Sequence, residues 1–157
     1  MSSELDEFDR RILELVQRDS RQPAEVIGAA IGLSASAVQR RLIRLRQSGV
    51  ILNEIAIVNP KAVNLPLTLI VDVELERERP ELLQSFRAWI AAEPAVQQAW
   101  YVTGDGDYVL IITARDIETY DALMQRLTAE NSNVRKFRTR VALGTLKRGL
   151  VLPIIED

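Results

Sequence analysis

The first 50 residues carry apolar side chains at the spacing of short amphipathic helices. One stripe predicts a first helix over residues 6–18, with Asp6 placed to cap its N-terminus. This stripe consists of Leu5, Phe8, Ile12, Leu15 and Val16. A second helix is predicted to begin at Pro23, which suits the first helical turn, and to stop at Gly32. Its apolar residues are Val26, Ile27 and Ala30.

A third helix is predicted to begin with Ser34 as its N-cap and to end at Gly49. Its buried stripe consists of Val38, Leu42 and Leu45. Only the short Gly32-Leu33-Ser34 turn separates it from the second helix. Three short helices joined in this way predict a domain of the winged helix-turn-helix type over residues 1–50.

Beyond residue 50 the pattern changes to the alternation of strands, interrupted by two helical stretches. Residues 51–65 are predicted to form a linker, in which Ile55 and Ile57 indicate a short strand that Asn59-Pro60 ends. Strands are predicted over 66–76, 96–103, 108–114 and 134–146, and helices over 80–92 and from the cap Asp116 through Leu127. The order βαββαβ predicts a ferredoxin-like domain over residues 66–157, so the fold class is α+β.

A ferredoxin-like domain packs both helices on one face of its sheet, so the opposite face meets water or a partner. The alternation places Ile70, Trp100 and Val102 on that opposite face. An exposed apolar sheet face predicts a subunit interface, and we expect a homodimer formed through this domain. A bulge that shifts the phase of one strand is the alternative explanation of the pattern.

Composition excludes several classes of function. The chain of 157 residues has no histidine and no cysteine, which removes thiolate and histidine-dependent catalysis and the commonest metal ligands. The net charge of −2 means that binding to nucleic acid needs a local basic face. Residues 1–9 are polar, and no apolar run approaches the roughly 18 residues of a membrane span. We expect a cytoplasmic protein with no membrane partner, no cofactor, no metal and no catalytic residue.

The predicted third helix carries four arginines and no acidic residue. They are Arg40, Arg41, Arg44 and Arg46. Hydroxyl, amide and guanidinium groups near the start of a recognition helix match base edges and phosphates of double-stranded DNA. We assign base readout to Ser36, Gln39 and Arg40, and phosphate contacts to Ser34 and Arg44. A solvated basic face is the alternative, and Arg41 could pair instead with an acidic residue of the first helix.

The segment Thr103-Gly104-Asp105-Gly106-Asp107-Tyr108 predicts a tight turn in the second domain. Exposed backbone N–H groups of such a turn can receive a carboxylate, and Asp105 or Asp107 could receive an ammonium group. A free amino acid carries both charges. A plain hairpin turn is the alternative, and two aspartates without a third ligand make a poor metal site.

The order and spacing of these features resemble the Lrp/AsnC family of transcription regulators over nearly the whole chain. The matching segments are Leu5-Asp6-x-x-Asp9-x-x-Ile12-Leu13, Gly32-Leu33-Ser34, Arg41-x-x-x-Leu45-x-x-x-Gly49-Val50-Ile51, Asn59-Pro60 and Thr103-Gly104-Asp105-x-Asp107-Tyr108. The resemblance implies a non-enzymatic regulator whose first 50 residues bind DNA. It also implies that the second domain dimerises, assembles dimers into larger rings, often octamers, and binds a small effector, usually an amino acid.

The resemblance places the effector in a cleft between neighbouring dimers, against the segment 101–108. The implied contacts are Tyr101, Thr103, Gly104, Asp105, Asp107 and Tyr108. Gly106 stands where the family often has an aromatic residue, which widens the turn, and Arg140 stands where several members have an apolar one, which implies a charged pocket wall. Two alternatives stay open: an effector-independent architectural regulator of DNA, and a small enzyme that uses Asp105 and Asp107.

Overall fold

The computed structural model describes residues 5–77 and 79–154, so residues 1–4, 78 and 155–157 lie outside the described residues. The chain divides into two compact units. One unit runs to Ile57 and takes in the residues from Lys147 onward, and the other is Val58–Leu146. The C-terminal segment, which the sequence analysis placed in the second domain, therefore packs with the first unit.

The first unit contains three helices, α1 (Glu7–Val16), α2 (Ala24–Ile31) and α3 (Ala35–Gln47). Asp6 caps α1 in a reciprocal capping box with Asp9, and the Ser34 hydroxyl accepts from the Ala37 N–H at the start of α3. Gly32 takes a positive φ of 78°, which lets the chain reverse between α2 and α3. The core of the unit consists of Ile12, Leu13, Ile27, Ile31, Val38, Leu42 and Leu45.

The apolar face predicted for α2 is wrong at two positions. Val26 and Ala30 are exposed, and Ile27, Gly28 and Ile31 are the buried residues. A helix of only eight residues has too few apolar positions for their spacing to show which face is buried. The predicted strand around Ile55 and Ile57 is not formed in the described residues, where a 3-10 helix over Pro60–Val63 follows instead.

The C-terminal segment of the first unit is attached to α1. The Gln17 carboxamide accepts a hydrogen bond from the Leu152 N–H at 2.7 Å and donates to the Leu152 carbonyl oxygen at 3.1 Å. Ile154 packs against the helical core. Two hydrogen bonds and an apolar contact thus hold the segment against the helices.

The second unit contains β1 (Leu67–Leu75), α4 (Pro80–Ala92), β2 (Val96–Tyr101), β3 (Tyr108–Ala114), α5 (Ile117–Glu130) and β4 (Val134–Val141). The four strands form an antiparallel sheet in the order β2-β3-β1-β4. This arrangement confirms the predicted βαββαβ domain. Asp116 caps α5 as predicted, but Ile117 is exposed because it lies in the first turn, before the buried stripe begins.

The two faces of the sheet differ as the alternation predicted. Leu69, Val71 and Val73 of β1 are fully buried in the core beneath the helices. Ile70 lies on the opposite face beside Ile111, and Trp100 lies there beside Val109 with 49% of its surface exposed. A register shift does occur in β2, between Val96 and Gln98, but it leaves Trp100 on the outer face.

No single helix among residues 5–77 and 79–154 is long and apolar enough to cross a membrane. Helices α2 and α3 reach that length and composition only when taken together, and they are bent by 104° at their junction. Both helices contribute buried residues to the core of the first unit.

Candidate DNA interface and effector cleft

One face of α3 is exposed along most of its length. Ser36, Gln39, Arg40 and Ile43 lie on it, at the spacing that brings residues of successive turns together. Ile43 is 51% exposed and is the apolar member of the group. Amide and guanidinium groups can read base edges, and an apolar side chain can contact a thymine methyl group. The face therefore has the chemistry needed to read the major groove.

The other arginines of α3 are bound to acidic residues. The Arg41 Nη1 lies 2.7 Å from the Asp6 Oδ2 and 2.8 Å from the Asp9 Oδ1, and the Arg44 guanidinium contacts the second oxygen of Asp9. The Asp9 side chain is only 1% exposed, so these two cations compensate a buried carboxylate. Arg46 binds Glu54 through two nitrogens, at 2.8 and 3.1 Å.

These contacts change how the predicted DNA contacts are distributed. The pairing of Arg41 with the first helix, held open from the sequence, is confirmed. Arg44, predicted as a phosphate contact, also holds Asp9 and keeps half of its side chain exposed. Ser34 remains exposed while its hydroxyl caps the helix. Within the described part of the chain, Arg40 is the arginine of α3 that has no acidic partner.

The ion pairs also perturb the titration of their members. Burial opposes ionisation of Asp6, but hydrogen bonds from the Asp9 N–H and from Arg41 lower its pKa overall. Hydrogen bonds to Asp6 and Asp9 raise the pKa of Arg41. The Arg46 hydrogen bond lowers the pKa of Glu54. Asp6, Arg41 and Glu54 are therefore charged at neutral pH.

The turn between β2 and β3 is fixed to the neighbouring strand β1. The Asp107 N–H donates to the Val73 carbonyl oxygen at 2.9 Å, and the Asp107 Oδ2 accepts from the Leu75 N–H at 2.6 Å. Gly104 has a φ of +122°, a conformation that favours glycine. Asp107, one of the two predicted partners for an ammonium group, thus has a structural role at the end of the hairpin.

A cleft of about 390 Å³ lies beside this turn, on the outer face of the sheet. Thr103, Asp105 and Gly106 form one wall. The remainder combines apolar residues with five charged ones, which are Asp72 and Glu74 of β1 and Lys136, Arg138 and Arg140 of β4. The apolar lining residues are Val73, Val102, Val109 and Phe137. Of these charged residues, the sequence pointed only to Arg140 as part of a pocket wall. Asp72, Glu74, Lys136 and Arg138 were not predicted, although each is a polar position in the strand alternation.

The structure does not bring all six predicted effector contacts together. Tyr108 is 3% exposed and belongs to the core, where its ring lies edge-on to Phe86 with centroids 5.1 Å apart. Its hydroxyl oxygen accepts a hydrogen bond from the Arg87 Nε at 3.1 Å. Tyr101 packs against Tyr108 on the same side of the sheet, facing the helices. Contact of either tyrosine with an effector stays a prediction.

Metal chemistry has no support in the described residues. Across 5–77 and 79–154, no group of three or more carboxylate, imidazole or thiol side chains lies close enough to hold a metal ion. Asp105 and Asp107 therefore lack the third ligand that a metal site requires.

The two units together define a class of protein: a DNA-binding transcription regulator in which a helix-turn-helix unit is joined to a ligand-binding α+β domain. The family model of the AsnC-type helix-turn-helix domain matches residues 5–46, and that of the Lrp/AsnC ligand binding domain matches residues 68–152. The chain belongs to the Lrp/AsnC family of transcription regulators, which are not enzymes.

Individual relatives agree with this placement. An HTH-type transcriptional regulator of Sinorhizobium fredii, y4tD, is 42% identical over 96% of this chain and 89% of its own length. The crystal structure of an AsnC family transcriptional regulator from Agrobacterium tumefaciens has a TM-score of 0.88 and 30% identity, covering 94% of this chain and 96% of its own. The Neisseria meningitidis regulator NMB0573, solved as a complex with L-Met, has a TM-score of 0.88 and 25% identity, covering 96% and 97%.

Proposed function

We propose that this regulator reads double-stranded DNA with the exposed face of α3. Ser36, Gln39 and Arg40 make the base contacts, Ile43 supports them, and Ser34 and the exposed part of Arg44 contact phosphates. The observation that carries the proposal is the distribution of charge on α3. Arg41, Arg44 and Arg46 are bound to acidic residues, whereas Arg40 stands beside Gln39 on the exposed face without such a partner in the described chain.

The test is the loss of sequence-specific affinity in Arg40→Ala. A target would be selected from a pool of random 30-base-pair duplexes with the unaltered protein, and affinity would be measured by fluorescence anisotropy at fixed salt. Loss of a base contact should weaken binding by about 1–3 kcal/mol, or roughly 5- to 150-fold, and relax specificity at one position. Arg18→Ala, which removes an exposed arginine outside α3, is the matched control. Equal losses in both variants would show a bulk charge effect and overturn the placement.

We further propose that the second unit binds a small effector, an amino acid, beside the turn 103–107. Thr103, Gly104 and Asp105 are the central contacts. In this proposal the protein is a homodimer that assembles further, up to an octamer, and a neighbouring subunit completes the pocket. Support comes from the matched ligand-binding domain and from the related regulator solved with L-Met. Such an effector acts by binding one assembly or head spacing more tightly than another.

The effector proposal can be tested on the full chain by thermal unfolding with each of the 20 standard amino acids. A ligand at about 100 times its dissociation constant should stabilise the folded state by about 2.7 kcal/mol. A selective rise in the unfolding temperature supports an amino-acid effector. Failure of every amino acid to raise it would overturn this proposal and favour an effector-independent regulator.

A further inference from the structure

The cleft beside the turn 103–107 carries more positive than negative charge on its strand wall. The Arg140 Nη2 lies 2.5 Å from the Asp72 Oδ2, and the Arg135 Nη1 lies 2.7 Å from the Glu74 Oε1. Both acidic residues of β1 are thus compensated by arginines of β4. Lys136 and Arg138 line the same cleft, are exposed, and have no acidic partner among residues 5–77 and 79–154.

The strand register shows which other ion pairs these side chains could form. Arg138 lies opposite Asp72 and Lys136 lies opposite Glu74, so these four side chains share the outer face of the sheet. Either carboxylate could exchange its arginine for the cation opposite it. Such an exchange only releases an arginine, since two carboxylates face four cations of β4. Exchange at Asp72 releases Arg140, which also lines the cleft, whereas exchange at Glu74 releases Arg135, which does not. The pairs as observed leave Lys136 and Arg138 available, and at least one uncompensated cation stays in the cleft whichever pairs form.

Asp105 supplies an available negative charge on the turn side of the cleft. It lines the cleft, is exposed, and forms no salt bridge in the described chain. Gly106, between Asp105 and the structural Asp107, has no side chain to cover β1. A Cβ at this position would lie 3.5 Å from the Val73 carbonyl oxygen and 3.8 Å from the Asp72 Cβ. The floor between the turn and the basic residues is consequently open.

We propose that the effector is an amino acid with an acidic side chain, and that Lys136 and Arg138 select it. This inference rests on the proposed amino-acid response and adds its chemical class. The ligand ammonium group pairs with Asp105, and its two carboxylates face Lys136, Arg138 and the backbone N–H groups of the turn. When a neighbouring subunit completes the pocket, a neutral amino acid would leave one of these cations without a counter-charge, and an unpaired charge that loses water is strongly unfavourable.

The experiment compares ligands that differ by one charged group. Thermal unfolding of the full chain would be titrated with L-glutamate, L-aspartate, L-glutamine, L-leucine and glutarate at matched ionic strength. We expect the dissociation constant of one acidic amino acid to be at least tenfold below those of L-glutamine and L-leucine. Glutarate lacks the ammonium group, so it should bind at least tenfold more weakly than L-glutamate in the unaltered protein.

Two results would contradict the proposal. If a neutral amino acid raised the unfolding temperature more than the acidic ones, the acidic class would be wrong and the amino-acid proposal would stand. If no amino acid raised it, both proposals would be wrong.

Substitution of the two basic residues tests whether the cleft causes the preference for an acidic amino acid. Lys136→Gln and Arg138→Gln should each weaken binding of the acidic ligand at least tenfold, without changing the unfolding temperature of the ligand-free protein. Lys61→Gln removes an exposed lysine of the same unit outside the cleft and should bind the ligand normally. If the dissociation constant of the acidic amino acid were the same for both cleft variants and for the unaltered chain, another surface would bind the ligand.

Discussion

Asp9 is a buried carboxylate that joins the first helix, α1, to α3. It contacts Arg41 and Arg44 of α3 through its two oxygens, and its own N–H donates to the Asp6 carboxylate at 2.9 Å. Removal of Asp9 would leave Arg44 without its counter-charge and Arg41 with Asp6 alone. Arg41 and Arg44 therefore hold α3 in position, and Arg44 is the one of the two that we also propose as a phosphate contact.

Gly28 also has a specific role, because it lets α2 approach the following turn closely. A Cβ at this position would lie 2.3 Å from the Leu33 carbonyl oxygen, which is a backbone atom and cannot rotate away. We expect Gly28→Ala to lower the free energy of unfolding by roughly 1–3 kcal/mol, as overpacking does. Urea denaturation would measure this loss.

Gly144→Ala is the control for that substitution, since a Cβ there meets no atom within 4 Å. It should leave the urea midpoint nearly unchanged. If both variants unfolded at the midpoint of the unaltered protein, the tight approach at Gly28 would not exist in solution.

The N-terminus of helix α5 is capped by the side chain of Asp116. The Asp116 Oδ1 accepts from the Thr119 N–H at 2.7 Å and from the Thr119 hydroxyl at 2.5 Å, and its Oδ2 lies 2.8 Å from the Arg115 Nε. The hydrogen bonds from Thr119, with help from Arg115, lower the pKa of Asp116 to about 2. The cap thus stays charged under all but strongly acidic conditions.

This lowered pKa predicts a dependence of stability on pH. The folded-state pKa lies below the ordinary value of 3.8, so the contribution of Asp116 is fully present above about pH 4 and is lost as pH falls toward 2. Asp116→Asn keeps a capping oxygen but does not titrate, so its stability difference from the unaltered chain should shrink between pH 4 and pH 2. Denaturation at several pH values in this range would measure the difference.

Asp116→Ala removes the capping oxygen altogether and provides a second comparison. It should be less stable than Asp116→Asn at pH 7, because an alanine N-cap leaves the first N–H groups of α5 without an acceptor. The lowered pKa of Asp116 would be contradicted if the free energies of unfolding of Asp116→Asn and the unaltered chain differed by the same amount at pH 4 and at pH 2.

The outer face of the sheet is the feature with consequences for the whole molecule. Ile70, Trp100 and Val102 lie on this face, and β4 adds its charged row on the other side of β1. An apolar patch of this kind on a protein surface is typical of a subunit interface. We infer that the apolar part forms the dimer contact, while the charged part belongs to the effector cleft.

A charge placed in the apolar part should therefore reduce the assembly. We expect Trp100→Glu to lower the molar mass measured by light scattering at a fixed protein concentration, because an unpaired carboxylate in an interface is unfavourable. Ile117→Glu is the control: Ile117 is 55% exposed, compared with 49% for Trp100, and lies at the start of α5. The same mass for both variants would place the interface elsewhere.

The sequence alone determined the order of the helices and strands in both domains, and only the linker was wrong, where the predicted short strand is not formed. Asp6, Ser34 and Asp116 cap the helices predicted from them, α4 spans the predicted residues 80–92, and β3 spans 108–114. Helix caps, turn glycines and the spacing of apolar residues depend on residues a few positions apart, so a short stretch of sequence is enough to predict the element that they form. The position of the turn 103–107, and with it the candidate effector region, follows from the same local signals.

Only the tertiary structure decided which side chains act together. Arg44 meets Asp9 from 35 positions away, and Arg140 meets Asp72 from 68 positions away. The same packing separates Tyr101 and Tyr108 from the cleft and attaches the segment at Leu152 to α1. Such pairs depend on how helices and strands stack. A local pattern shows that a residue faces outward, but the partner that compensates its charge is set by the fold.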